Sequence, residues 1–169
     1  MTEELVAIVD QTGSVVAAAS RSEMRARNLP HLIIAVLVRD LTGRVYVHRR
    51  SDTKDVFPGL HDCFTSGCVG YGEDPAQSAE RELAEELAIT GVRIEPLSVE
   101  WYRDDSTWHL CHVFQTTHDG PVVHQESEIA SGGWMTVAEL RVRLTDPEWP
   151  MVPDGRWLVE QLLDDGTLA

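Results

Sequence analysis

One segment constrains this chain more than any other. Read as a helix, residues 76–89 show two stripes. Ala76, Ala79, Leu83 and Leu87 recur at spacings of three and four, so they share a face and are expected to pack on a sheet. Beside them lie Glu82, Glu85 and Glu86, which span roughly a 100° arc at the helical repeat. Like charges at that range repel, so a cation is expected to compensate them. Asp74 can cap the helix, Pro75 suits its first position, and Gln77 completes a capping-box arrangement. The pattern runs to Ala88. A glycine-rich loop, Gly67-Cys68-Val69-Gly70-Tyr71-Gly72, comes just before it, and its backbone can approach a ligand closely. Clustered carboxylate oxygens are the donors that Mg²⁺ or Mn²⁺ prefers. The plain alternative is a solvated acidic face with Arg81 paired to Glu85. Against it, the carboxylates flank the apolar stripe rather than oppose it.

The formal net charge of −14 argues against a nucleic-acid backbone as the main partner. It leaves room for a small phosphorylated ligand bridged by divalent cations. No apolar run is long enough to span a bilayer, and the acidic N-terminus lacks the pattern of a signal peptide, so a cytoplasmic location is expected. Cys63, Cys68 and Cys111 read as free thiols. With His61, the first two fit no common zinc spacing. His109 and His112 lie three apart in a strand-like run and are expected on opposite faces.

Around the helix the chain alternates strands and turns. Leu5–Asp10 and Val15–Ala19 form an expected hairpin around Gln11-Thr12-Gly13, followed by a short helix over Ser22–Asn28. Leu32–Arg39 and Arg44–Arg49 form a second strand pair. Ser51–Asp62 is a loop, and Cys63–Val69 is extended. Further strands are expected at Val92–Tyr102, Trp108–Thr116 and Gly132–Met135, with helices at Thr136–Leu144 and Asp154–Leu163. Strands interspersed with helices predict an α/β fold, a mixed sheet with helices on its faces, in one domain over residues 1–169.

The spacing around the helix carries a resemblance. Gly67, five residues, Glu73, seven residues, then Arg81-Glu82-Leu83-Ala84-Glu85-Glu86-Leu87-Ala88-Ile89 resembles the Nudix box, here residues 67–89. One defined position departs: Ala88 stands where the family has glycine. A glycine there suits a left-handed helix end, so alanine is expected to move the end, toward Gly91. The resemblance implies an α/β/α sandwich around a mixed β-sheet, with the N-terminal β-hairpin as an extension. It implies Mg²⁺ or Mn²⁺ held by Glu82, Glu85 and Glu86 with the Gly67 carbonyl. It makes Glu82 and Glu85, with Arg81, the catalytic group, and pairs Arg81 with Glu73 as support. The base for the attacking water is one of these carboxylates or a later one, Glu126 or Glu128.

The resemblance extends further. Arg49-Arg50, Lys54 and Phe57-Pro58-Gly59, with the hairpin and Arg21, resemble the isopentenyl-diphosphate isomerases and their hydrolase-like relatives. There the matching basic residues hold the diphosphate, so Arg49, Arg50 and Lys54 are candidates for that grip, Arg as a bidentate clamp and Lys as a point charge. Solubilising loop cations are the plain alternative. The isomerases' acid/base cysteine aligns with Ser66, their strand glutamates with Thr107 and His109, and a metal-binding histidine with Cys68. A hydroxyl cannot stand in for the thiol.

Hydrolysis of a diphosphate linkage in a nucleoside diphosphate derivative or similar small organic diphosphate is therefore the leading expectation. Isomerase and a non-catalytic nucleotide-binding module on the same fold are the alternatives. Expected partners are a small-molecule diphosphate, no nucleic acid, no membrane, and a second copy through the hairpin. Trp101, Tyr102 and Trp108 suit either base stacking or core packing.

Overall fold

The computed structural model describes residues 3–169. It contains nine strands in one sheet and four helices among the described residues. The strands are β1 (Leu5–Val9), β2 (Val15–Ser20), β3 (His31–Arg39), β4 (Val45–Arg50), β5 (His61–Asp62), β6 (Phe64–Cys68), β7 (Glu95–Arg103), β8 (Trp108–Thr117) and β9 (Ile129–Met135). The helices are α1 (Arg21–Ala26), α2 (Pro75–Leu87), α3 (Val137–Leu144) and α4 (Pro153–Asp164). The expected α/β class with a mixed sheet is observed, and the strands fall close to the apolar runs that predict them, except β5, which lies at the end of the expected Ser51–Asp62 loop. None of these helices is long and apolar enough to cross a membrane.

Backbone proximity groups the chain into two compact units, and both β3 and α2 contribute residues to each. The first comprises residues up to Val36, Ser66–Glu82 and Ile94–Gln115. Its β1–β2 hairpin turns on Asp10, whose carboxylate accepts the Thr12 N–H at 2.8 Å. Val6, Ile8, Ala19 and Met24 form an apolar cluster there, with Leu29 and Cys68 against it. The glycine loop is stitched into the sheet on both sides. Ala7 N–H donates to the Val69 carbonyl at 3.0 Å and Tyr71 N–H to that of Leu5 at 2.9 Å, while Val69 N–H donates to Leu32 at 3.0 Å.

The second unit comprises Leu37–Thr65, Leu83–Arg93 and Thr116–Ala169. Here β4 pairs along its length with β9 and, near its end, with β5. Asp40 organises the β3–β4 turn by accepting the Thr42 and Arg44 N–H groups, each at 2.9 Å. Helix α3 starts with a full capping box, Thr136 with Glu139. Arg141 reaches the Leu163 carbonyl at the end of α4, at 3.3 Å. Buried Leu140, Leu144, Leu158 and Leu162 supply the apolar faces of α3 and α4.

Helix α2 ends differently from the expectation. Ala88 itself takes the left-handed conformation, at φ 55°, and its N–H donates to the Ala84 carbonyl at 3.2 Å, an αL cap. The end does not move to Gly91. A non-glycine residue in that region costs about 1–2 kcal/mol, and the chain carries it because neighbouring bonds fix the conformation: Ile89 N–H reaches Leu83 at 3.1 Å. The apolar stripe also starts later than expected. Ala79, Leu83 and Leu87 are fully buried, but Ala76, in the first turn, is exposed.

Candidate functional site

Helix α2 starts where its sequence says. Asp74 Oδ1 accepts the Ala76 N–H at 2.9 Å, and Gln77 Oε1 accepts the Asp74 N–H at 3.4 Å. This fixes the rotation of the helix, and with it the carboxylates. Glu82 and Glu86, four residues apart, are buried at 8% and 9% exposure, while Glu85 is exposed. Buried carboxylates are costly unless something cationic or hydrogen-bonding meets them.

For Glu82 that partner is Arg81. Its Nη1 donates to Glu82 Oε1 at 2.7 Å. The same guanidinium forks onto Glu73, Nε to Oε1 at 3.1 Å and Nη2 to Oε2 at 3.3 Å. Nη2 also reaches the Cys68 carbonyl at 3.5 Å. The hydrogen bonds from Arg81 hold the Glu73 carboxyl below the usual range, and Glu73 in turn raises the guanidinium. Glu73 Oε2 also accepts the Gly70 N–H at 3.1 Å. One arginine thus joins the glycine loop, its closing glutamate and the first carboxylate of the row. Gly67 is required by contact: a Cβ there would lie 2.2 Å from Glu82 Oε1.

At the other end of α2 the carbonyls are closed by a distant loop. Val123 N–H donates to Leu87 at 3.1 Å and Gln125 N–H to Glu86 at 3.0 Å, meeting groups a helix end leaves unsatisfied. Glu126, exposed, and Glu128 follow directly. Glu128 forms an ion pair with Lys54, and its carbonyl accepts the Ser51 N–H at 2.9 Å.

The three basic candidates have different surroundings. Arg49 is paired with Asp52, at 2.5 Å, and lies against Gly59. Arg50 donates to the Val56 carbonyl, at 3.3 Å and 2.9 Å. Lys54 is with Glu128. Arg50 and Lys54 both bear on buried His48, while Arg49 bears on His61. As they stand, Arg50 and Lys54 form one group and Arg49 another.

Several polar groups have no counterpart in the sequence reading. His48 is buried, and burial, then Arg50, His124, His61 and Lys54, push its imidazole down to about 3. Asp62, its register partner on β5, is buried too. Burial, then Asp154, push its carboxyl up to about 7. It accepts the Phe64 N–H at 3.0 Å and packs on Gly155, where a Cβ would lie 2.7 Å from Oδ1. Tyr46 hydrogen-bonds His124 and meets the Trp134 ring edge-on at 5.1 Å. The alternation Tyr46, His48, Arg50 along β4 was the available signal.

The positions that align with isomerising groups serve the fold. His109 is buried, stacked with Tyr102 at 5.4 Å and edge-on to His31 at 6.0 Å. Thr107 N–H closes the β7–β8 turn on Asp104 at 2.9 Å. Ser66 lies half-buried on β6. Burial raises the Cys68 thiol against the opposing charge of Arg21. Among the aromatic candidates, Trp108 lies under the Arg103 guanidinium at 4.2 Å, and Trp101 is 38% exposed. Among the described residues no three His, Cys, Asp or Glu side chains are gathered as a ready metal cluster.

Comparison with known proteins identifies the family. The NUDIX domain family model matches residues 29–155. A Nudix hydrolase of Rhodococcus erythropolis is 45% identical, covering 93% of this chain and 90% of its own. One from Streptomyces coelicolor is 40% identical, covering 90% and 84%. In fold, the chain is similar to the DR0079 protein of Deinococcus radiodurans, with TM-score 0.81, 23% identity, and coverage of 94% and 98%. It is similar also to the NUDIX domain of Shewanella oneidensis NrtR, solved with ADP ribose, with TM-score 0.64, 19% identity, and coverage of 87% and 99%. The family model covers residues 29–155 and the Rhodococcus relative is 45% identical over 93% of the chain, which shows that this chain belongs to the Nudix hydrolase family.

Proposed function

We propose that the chain hydrolyses a diphosphate linkage in a nucleoside diphosphate derivative or similar small organic diphosphate, with Mg²⁺ or Mn²⁺ as cofactor. The observation that carries this is the contact of Gly67 with the Glu82 carboxylate, which leaves no room for a side chain. It brings a backbone segment against the first of three carboxylates on one helix. The donor set fits a hard divalent cation: Glu82, Glu85 and Glu86 would hold it, with the Gly67 carbonyl. Bound there, such an ion neutralises phosphate charge and makes a bound water more acidic.

Arg81 and Glu73 position Glu82. Glu82 and Glu85 act with Arg81 at the reacting phosphate, and Glu126 or Glu128 is a further candidate to accept the water's proton. Arg50 and Lys54 hold the diphosphate, and Arg49 joins them only by leaving Asp52. Isomerisation is disfavoured, because Ser66 and Thr107 exchange no proton readily at neutral pH, and His109 is engaged with Tyr102 and His31.

The test is a screen of nucleotide and isoprenoid diphosphates with Mg²⁺ or Mn²⁺, following released phosphate species. ADP ribose belongs in it because the NrtR domain binds it. Expected are metal-dependent release from at least one compound, its loss in Glu86→Gln, and no dimethylallyl product from isopentenyl diphosphate. Full hydrolysis by the glutamine variant, or isomerisation by the wild type, overturns the proposal.

A further inference from the structure

Lys54 is the only lysine in the sequence; the rest of its 14 lysines and arginines are arginine. The two side chains do different things well. A guanidinium is a planar fork that settles on fixed acceptors, whereas an ammonium is a compact charge on a flexible stem. The cations of this region follow that division. Arg50 forks onto the Val56 carbonyl through Nε and Nη2, and Arg49 pairs with Asp52. Both acceptors belong to the loop that directly follows the arginines. Lys54 reaches out of that loop, to the carboxylate of Glu128, 74 residues further along the chain.

That ion pair is firm, yet it can open without cost to the backbone. Its side chains are 19% and 28% exposed, against 36% and 73% for Arg49 and Asp52, so water and salt screen it less. The chain around it is tied independently. Ser51 N–H donates to the Glu128 carbonyl at 2.9 Å, Lys54 N–H to that of Ser51 at 3.3 Å, and Glu128 N–H to that of Gln125 at 2.9 Å. Both loops therefore stay joined when the ammonium swings away from the carboxylate. A diphosphate carries more negative charge than one carboxylate and offers several oxygens, so it can draw the ammonium to itself.

We propose that Glu128 is an internal competitor for the diphosphate: its carboxylate and a phosphate oxygen exchange places on the Lys54 ammonium. This rests on the reading that Arg50 and Lys54 hold the diphosphate. The exchange replaces one ion pair by another, with no covalent bond broken and no proton moved. Glu128 thereby sets a threshold, because an anion holds Lys54 only by offering more than the carboxylate does. Arg50 sets no such threshold, since its acceptor is a neutral carbonyl.

The test is calorimetric titration of the full chain with methylenediphosphonate, a diphosphate analogue that is not hydrolysed at its bridge. It is run with Mg²⁺ at about 0.15 M salt, where distant charges are screened. Lys54→Met is expected to weaken binding about ten-fold. Glu128→Gln is expected to tighten it about five-fold, the scale of a half-exposed ion pair. Added to Lys54→Met, Glu128→Gln is expected to change nothing further, because no ammonium is left to compete for. The single lysine gives a direct readout as well. With isotope-labelled lysine one side-chain ammonium resonance is expected, and it should shift on titration of the wild type. Unchanged or weaker binding in Glu128→Gln overturns the competition and leaves the grip standing. An equal gain in the Lys54→Met background also overturns it, since the effect would then be one of overall charge, and so does an unmoved resonance at saturation. Absent binding, or wild-type affinity in Lys54→Met, removes the grip and the competition together.

Discussion

The chain buries polar side chains in two contrasting ways. Around Arg81 the charges are kept, because each has an opposite partner: Glu73 and Glu82 share one guanidinium. Across β4 and β5 the groups are neutral instead. His48 and Asp62 are buried with little to compensate a charge, so the imidazole stays deprotonated at neutrality, while the carboxyl, pushed up to about 7, keeps its proton below that pH. The first arrangement holds charge ready to be handed to a ligand. The second stores a pH dependence. The same residue types thus acquire opposite meanings from their neighbours.

The largest effect should come from breaking the first arrangement. Gly67→Ala forces the Glu82 carboxylate aside and is expected to lower turnover about 100-fold, the scale of an ångström-level misplacement. Melting temperature and steady-state rates on the substrate found by the screen check this, and an unimpaired rate would separate Glu82 from the chemistry.

The next effect sharpens the second arrangement. The folded-state pKa of Asp62 is raised from 3.8 to about 7, so the folded state holds a proton that the unfolded state releases. Stability is complete below the unfolded value and is lost as pH rises from there to the folded one, by up to about 4 kcal/mol. Asp62→Asn keeps the shape and the acceptor for Phe64, and should be more stable than wild type above pH 7, measured by urea unfolding at pH 8. Equal stability there would mean that Asp62 is ionised and paired.

His48 gives the opposite slope. Its folded pKa is lowered from 6.5 to about 3, so the unfolded state takes up the proton first. That contribution is present above the unfolded value and falls away as pH drops through the window, by about 2 kcal/mol between pH 6.5 and pH 5. Relative to wild type, His48→Gln should gain stability as pH falls from 7 to 5, a trend that unfolding at each pH would reveal or refute.

The smallest effect lies at the end of α2. Ala88→Gly relieves the left-handed alanine and should stabilise by about 1 kcal/mol with turnover unchanged. A destabilised variant would show that the methyl group, or the reduced freedom of the unfolded chain, matters more.

These cases also mark how far the sequence could be read. Asp74, Pro75 and Gln77 specify the start of α2 locally, and the Glu73 to Arg81 spacing specifies their bridge, so both were legible. The grouping of Arg50 with Lys54, apart from Arg49, depends on which loop atoms each side chain meets, and no spacing records that. His48 and Asp62 become neighbours only through the β4–β5 register, and Gly155, which admits the carboxylate, lies more than ninety residues away in the chain. Ala88 was visible as a departure, but whether the helix end would move or the alanine would yield was decided by the bonds around it.

The family match begins at residue 29, yet the glycine loop before α2 hangs on the strand that precedes it. Ala7 and Leu5 hold Val69 and Tyr71, and Val6 bridges to Gly70 between them. The amides of Ala7, Val69 and Tyr71 should therefore exchange with solvent together, as one opening unit. A shortened chain beginning at the family boundary would retain every glutamate of α2 and lose the hem that keeps the loop in place beside them. The family model and mechanical dependence draw different borders through this protein.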